Sequence, residues 1–498
     1  MVMRVGGLSS GMDIESIVNN LMSAERMPLQ KMEQDRTLLE WKRDGFREVY
    51  QKLYEFDEMI LDMKLSSTYN SKSVSSSQES AVTATGSTSA GNGTYSINVT
   101  ELAKSAINVS SGEVEIDPNT PLKDTNYAGG FGEFTNAFET FNKDGSTTQH
   151  TIEIKETDTL NDVLKRISSA DNNVRAFYDQ NTQKVILETT RTGNYNADPN
   201  VHDGAEVVFN HGFFTDTLKL DTANETGGEN AQFQYNGIEM TSYDNSYKLG
   251  GVTFQFKDKT NGTAILTVEN DVDASFEKIM KFVDTYNEIV DMINGSQHEE
   301  KYRDYKPLTQ EQKDEMSDKE IELWEERAKS GILRGESSLS SGLFSMRQSW
   351  YSTVDTGGSY TSVTQVGIKT SSNYMDGGKL IVDEEELKNA LREDPASIQN
   401  LFSKNAEGNS RGLVNRVEDA LETTMKQIEQ RAGKPTSITL DNYTLGKRMK
   451  DLNSRISAFE ARMVQVENRY WSQFTAMEKA ISQMNQQSSQ LMSQFGGM

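Results

Sequence analysis

Two apolar seams, one near each end of the chain, restrict the fold more than anything else in the sequence. Phe46, Val49, Leu53, Phe56, Ile60 and Met63 are spaced alternately three and four apart, and Leu39 and Met32 extend the row backwards by whole heptads. Met449, Leu452, Ile456, Phe459, Met463, Val466 and Tyr470 repeat that spacing, and Met477, Met484 and Leu491 continue it past Gln473 and Gln487. Such a period marks a coiled-coil seam. A narrow apolar stripe on so long a helix needs a partner helix, and the opposite terminus is the expected one. A third row, Phe276, Ile279, Val283, Tyr286, Val290 and Ile293, runs up to Asn294-Gly295, where the helix is expected to stop. Three seams of one kind predict a shared bundle.

Between Met63 and Phe276 the apolar period falls to two. Val82/Ala84, Tyr95/Ile97/Val99, Ile107/Val109, Ile152/Ile154, Phe233/Tyr235, Val252/Phe254/Phe256 and Ala264/Leu266/Val268 alternate with polar residues, as half-buried strands do. Leu160, Val163, Leu164 and Ile167 predict a short amphipathic helix among them, and Val185-Ile186-Leu187 a buried strand. The stretch from about Asp117 to Gly145 has no readable period. A β block interrupting two helical regions that should pair reads as an insertion into a bundle. The fold class is therefore α+β and multi-domain: a helical coiled coil and bundle formed by the terminal segments, with mainly-β domains inserted. The expected divisions are 1–42 with 440–498 as a helical leg, 43–74 with 273–439 as a bundle carrying a small β-hairpin, 75–110 with 225–272 as a β domain, and 111–224 as an inserted β-rich domain. In the third quarter of the chain, Ser317/Glu320 has capping-box spacing inside a charged stretch, 299–329, expected to be a solvated helical excursion anchored by Trp324. Residues 363–370 and 379–382 are expected to pair as a hairpin, with helices opening at Asp383 and at Asp394-Pro395.

Composition excludes several function classes. Asp and Glu total 75 against 51 Lys and Arg, a formal charge of −24 that repels nucleic acid and anionic lipid. There is no cysteine, which removes disulfides, thiolate nucleophiles and Cys-ligated metals. The opening MVMRVGGLSSGMD offers Arg4 but no apolar h-region behind it, and no run elsewhere is long and apolar enough to span a bilayer, so neither a cleaved signal nor membrane insertion is expected. The four histidines, His150, His202, His211 and His298, lack the spacing of a helical zinc site and are read as exposed loop residues. No P-loop, dinucleotide fingerprint or GxSxG elbow occurs. No catalytic residue, cofactor or metal is assigned.

The chain ends carry a family resemblance. GLSSGMDIESIVNNLMSAERMPLQKM (7–32) resembles the N-terminal signature of flagellar filament cap proteins, the hook-associated protein 2 family. GTYSINVTELAKSA (93–106), GGVTFQFKDKTNGTAILTVENDVDASFEKIMKFVDTYNEIV (250–290), ILRGESSLSSGLFSMRQ (332–348) and VGIKTSSNYMDGGKLIVDEEELKNALREDPASIQNLF (366–402) are similar to later blocks of that family. Arg469-Tyr470-Trp471, Phe474 and Met477-Glu478 match its last helix, and residues 160–193 resemble a module of several flagellar axial proteins. Residues 118–145 and 299–329 match no family motif.

The resemblance implies a non-enzymatic protein exported unfolded through the flagellar channel, with an export chaperone and the type III apparatus as partners. It implies a homo-oligomeric ring, usually a pentamer, at the distal tip of the filament, beyond the hook–filament junction proteins, where arriving flagellin folds and is inserted. Amphipathic placement nominates Leu8, Met12, Ile14, Ile17, Leu21, Met27 and Leu29, with Ile481, Met484, Leu491 and Phe495, as subunit, filament or chaperone contacts. The tail after Lys479 has no charged side chain, which suits a confined helical environment. The rival readings are a hook–filament junction protein, a surface adhesin and a secreted hydrolase.

Overall fold

A computed structural model describes residues 12–495, with side chains to residue 492. The chain divides into a helical unit, made of residues up to Tyr69 and from Asp273 onward, and a second unit, Asn70–Val272, inserted between its two limbs. The first limb is the 51-residue helix α1 (Ile14–Lys64), started by Asp13, whose carboxylate accepts the Ser16 N–H at 3.0 Å, and followed by the single turn α2 (Ser66–Tyr69).

The inserted unit runs β1 (Lys72–Ser76), β2 (Val82–Gly86), β3 (Gly93–Glu101), β4 (Ser105–Val109), β5 (Gly132–Phe141), β6 (Thr147–Ile154), α3 (Leu160–Ser169), β7 (Val174–Asp179), β8 (Lys184–Thr192), β9 (Val207–Phe209), β10 (Ala231–Tyr235), β11 (Ile238–Ser242), β12 (Ser246–Leu249), β13 (Val252–Phe256) and β14 (Ala264–Asn270). Every alternating run in the sequence forms one of these strands. Sheets ordered β1-β14-β3-β10-β11 and β12-β13-β2, antiparallel throughout, share a core of Ile97, Val99, Phe233, Val252, Phe254, Phe256, Leu266 and Val268. The residues between β3 and β10 close a separate core, in which the sheets β4-β8-β7 and β6-β5-β9 and the apolar face of α3 meet around Phe138, Ile152, Leu164, Val185, Phe213 and Phe214. Thr159 caps α3 with a reciprocal box to Asp162.

The second limb comprises α4 (Val272–His298), α5 (Gln310–Asp314), α6 (Asp318–Lys329), α7 (Ser337–Trp350), the hairpin β15 (Ile368–Thr370) and β16 (Leu380–Val382), α8 (Glu384–Glu393), α9 (Pro395–Ser403), α10 (Leu413–Ala432) and the 52-residue α11 (Thr444–Phe495). Two expectations change. Residues 363–366 form a 3-10 turn, so the hairpin is confined to three pairs, Ile368 to Thr370 against Val382 to Leu380. Helix α4 does not stop at Asn294-Gly295 but continues to His298; an added Cβ on Gly295 would meet nothing within 4 Å, and its φ is not positive, so this glycine is a tolerated helical residue rather than a stop.

The seam Phe46–Met63 is buried at all six positions. Its partners correct the expectation that the opposite terminus covers it. Phe56 stacks on Phe282 of α4 at 4.7 Å and lies 6.2 Å from Tyr286. Trp350 of α7 contacts Phe282, Tyr286 and Phe402, and Phe402 of α9 lies 5.8 Å from Tyr69 of α2. Tyr50 donates to Glu429 (2.9 Å) and Lys64 pairs with Glu418 (2.5 Å), both carboxylates on α10. This half of α1 is a member of a bundle core. On α4, Ile279, Val283, Tyr286, Val290 and Ile293 are buried, joined by Phe282 and Ile289, whereas Phe276 is half-buried beneath Lys388, 4.8 Å from its ring.

Candidate assembly interface

Assembly by the chain ends depends on what the two long helices leave uncovered. Arg47 of α1 lies over the ring of Tyr443, just before α11, at 5.5 Å, while Tyr470 far along α11 donates to Glu25 at 3.0 Å. The helices are therefore antiparallel. Below the bundle, Ile14, Val18 and Met22 of α1 and Met463 and Val466 of α11 are buried in one continuous cluster, linked by half-buried Phe459, Tyr470, Trp471 and Phe474. Nearer the bundle, Met449, Leu452 and Ile456 are buried too. Val18 and Met22, as deeply buried as Ile14, were not singled out in the sequence; their successive spacing of four from Ile14 was the available signal.

The nominated contact residues separate into classes. Ile14 is buried inside its own chain, and Met12, Ile17, Leu29 and Ile481 are half-buried. Leu21, Met27, Met484 and Leu491 are exposed, as is Met492. Leu8 lies outside the described residues, and Phe495 is helical with its side chain outside the described set. Beyond Ile481, α11 continues about 20 Å past the level of Ile14, the start of α1. Ile481, Met484, Leu491 and Met492 fall within about 100° of helix arc, a single apolar stripe exposed at Met484, Leu491 and Met492.

The charged stretch 299–329 is less solvated than expected. Gln30 and Gln34 of α1 donate to Glu311 (2.5 Å) and to the Pro307 carbonyl (2.9 Å), and Lys329 sits 4.9 Å from the Trp41 ring. Trp324 packs on Tyr305 at 4.6 Å and donates to the Lys306 carbonyl at 2.8 Å. The excursion thus lies along α1 just after Pro28, which interrupts that helix's hydrogen bonding. Glu336 is shared by Lys42 and Arg431, tying α1, α7 and α10 together at the same level.

No group of three or more metal-ligating side chains exists among the described residues. The histidine reading needs correction: His150 is a strand residue stacked on Phe138 at 4.8 Å and bonded to Thr140 at 2.8 Å, and His211 packs on Phe134 at 4.0 Å. Burial holds both below the usual imidazole range. Two carboxylates do structural work in the same region. Glu206 accepts the N–H groups of Tyr195 (2.5 Å) and Asn196 (2.9 Å), and Glu225 those of Glu206 (2.5 Å) and Val207 (3.1 Å). Burial raises both, Glu225 to about 7.

Among the described residues no helix is long and apolar enough to cross a membrane. A family model described as the flagellar hook-associated protein 2 C-terminus matches residues 228–486, and one described as its N-terminus matches residues 10–106. Flagellar hook-associated protein 2 of Halalkalibacterium halodurans is 38% identical over 99% of this chain and 100% of that protein. The protein of the same name from Thermotoga maritima is 25% identical over 98% of this chain and 95% of its own length. In fold, the D1-D2-D3 domains of the flagellar cap protein FliD from Escherichia coli superpose with a TM-score of 0.56, covering 82% of this chain and 99% of that one at 19% identity. With relatives matching from end to end and a C-terminal family model spanning more than half of its length, the chain belongs to the flagellar hook-associated protein 2 family.

Proposed function

We propose that this chain is exported and assembles as a homo-oligomeric ring, with a pentamer the expected count, capping the distal end of the flagellar filament, where it promotes insertion of flagellin and prevents its loss. The observation that carries the reading is the leg: a long antiparallel helix pair ending in an uncharged, apolar-striped extension whose Met484, Leu491 and Met492 no described residue covers, in a member of this family. On this reading 1–42 and 440–498 form the leg, 43–74 and 273–439 the bundle, 75–110 and 225–272 a β domain, and 111–224 a further inserted β-rich domain.

A cap must hold the filament yet shift after each insertion, which favours several weak contacts over one tight one. The leg suits this. A two-helix pair is stabilised mainly by its own narrow seam, and a terminus without charge can enter a confined helical surface without desolvating an ion. Export chaperone, flagellin and the hook–filament junction proteins are the partners this role requires.

The test is truncation after Lys479 in a strain lacking the native gene. Filament growth should fail and monomeric flagellin should appear in the medium, while the melting of the purified truncated protein stays unchanged; normal filaments from the truncated protein would overturn the role given to the extension.

A further inference from the structure

Two faces of the helical unit carry large apolar side chains that no described residue covers, and they differ in charge. One is the outer side of α1, where Tyr54 is 50%, Leu61 59% and Leu65 53% exposed. Tyr54, Glu58 and Leu61 lie on one helical stripe, with Leu65 just past the helix end, turned away from the buried Phe56, Ile60 and Met63. Exposed Asp62 flanks the stripe, as does Glu55, which Lys52 pairs at 2.8 Å.

The other face lies on α7 and the turn between β15 and β16. Phe344 (61% exposed) and Tyr374 (82%) rim a cavity of about 270 Å3, with Arg347, Asn294 and His298 in its wall. Met375 and Tyr351 are exposed beside it. Arg347 is half-buried and held against Gly378, where even a Cβ would come within 2.7 Å of its Cδ. Its guanidinium donates to the Tyr351 hydroxyl at 3.2 and 3.3 Å, and among the described residues no carboxylate pairs with it. In a chain with 75 acidic against 51 basic residues, a forked donor set left facing a hydroxyl offers a ready seat for an external carboxylate.

We infer that these faces dock on each other between neighbouring copies of this chain, Tyr54, Leu61 and Leu65 of one copy covering Phe344, Tyr351 and Tyr374 of the next, with Glu58 meeting Arg347. Each face presents at least three exposed large apolar side chains, and the carboxylate of one is complementary in charge to the guanidinium of the other. Because the two faces are different surfaces of one protomer, the contact is heterologous and repeats head to tail until it closes, as a ring requires. The inference rests on the ring reading above and names the surfaces that build it.

Self-association of the full chain is measured by sedimentation, alone and without flagellin. Glu58→Arg and Arg347→Glu should each weaken it by roughly a hundredfold by placing like charges together, and the two combined in one chain should restore it. The absence of native cysteine allows an independent check. Leu61→Cys with Phe344→Cys in one chain, joined by a short bis-maleimide, should give a ladder beyond dimers, whereas either single variant should give none. Association unchanged by both charge reversals overturns the docking and leaves the ring standing; a wild-type chain monomeric at every concentration overturns both. Efficient dimers from Phe344→Cys alone would show a self-paired face, and charge reversals that change flagellin retention but not self-association would assign the face to flagellin; either result refutes the inference.

Discussion

Replacing Met22 by Ala separates the leg from the bundle energetically. Met22 is 2% exposed between α1 and α11, in a cluster with Ile14, Val18, Met463 and Val466. Buried Met→Ala changes cost roughly 2–5 kcal/mol, and a two-helix seam with solvent on both sides relaxes easily, which places this one near 2 kcal/mol. The hydrogen bond from Tyr470 to Glu25 across the leg is half-buried and contributes about 1 kcal/mol, too little to offset that loss. A loss of about 2 kcal/mol increases leg opening by about 30-fold.

Hydrogen exchange of the full chain reads this directly, because amides report the opening free energy of their own segment. Peptides covering 14–26 and 459–474 should lose about 30-fold in protection, while 46–63 and 413–432, which belong to the aromatic bundle core, should not change. Val464→Ala, on the exposed side of α11, is the control and should alter neither. An equal loss of protection in the bundle peptides would show that leg and bundle open as one and refute an independently adapting leg; an unchanged leg would show that the cluster does not hold it.

Phe56→Ala should have the opposite signature. The side chain is fully buried against Phe282 and Tyr286, so the helical unit should lose about 3–5 kcal/mol and melt on the order of 10 °C lower by circular dichroism. In the inserted unit, Glu225 is raised from 4.5 to about 7, so its neutral form stabilises the fold fully below its unfolded value, and that contribution, on the order of 3 kcal/mol, is lost as pH rises through about 7. Glu225→Gln should remove this component, seen as a smaller fall in unfolding midpoint between pH 5 and pH 8 than in the wild type; an identical fall would assign the titration elsewhere.

How far the fold was legible follows from what each pattern encodes. Alternation by two located the strands, because a sheet with one buried face imposes that period on every residue. It failed between 117 and 145, where Asn136 adopts a φ of 51° and the β5–β6 register shifts between Phe134 and Phe138. A bulge there moves the side chains to the other face midway, so no continuous period survives. Glycines misled in the same local way: Gly295 was a plausible stop by type, but a left-handed cap requires a positive φ, which Gly295 does not adopt.

The seams were legible as stripes and not as pairs. A 3-4 row states that one helix has an apolar strip; it contains no term for what covers the strip. The width of the strip does contain one. On α4, Phe282 and Ile289 stand beside Val283 and Val290 and are equally buried, so the apolar arc is broader than a two-stranded seam can cover and demands several neighbours. In α1 the half with a single narrow row, Ile14, Val18 and Met22, meets one helix; the half from Phe46 to Met63, which adds buried Tyr50, meets helices from the other limb of its unit. The same reasoning applied outward gives Tyr54, Leu61 and Leu65 their meaning. A second strip on a helix whose first strip is already satisfied adds nothing to the fold of its own chain, and its apolar cost in water is relieved when another surface covers it.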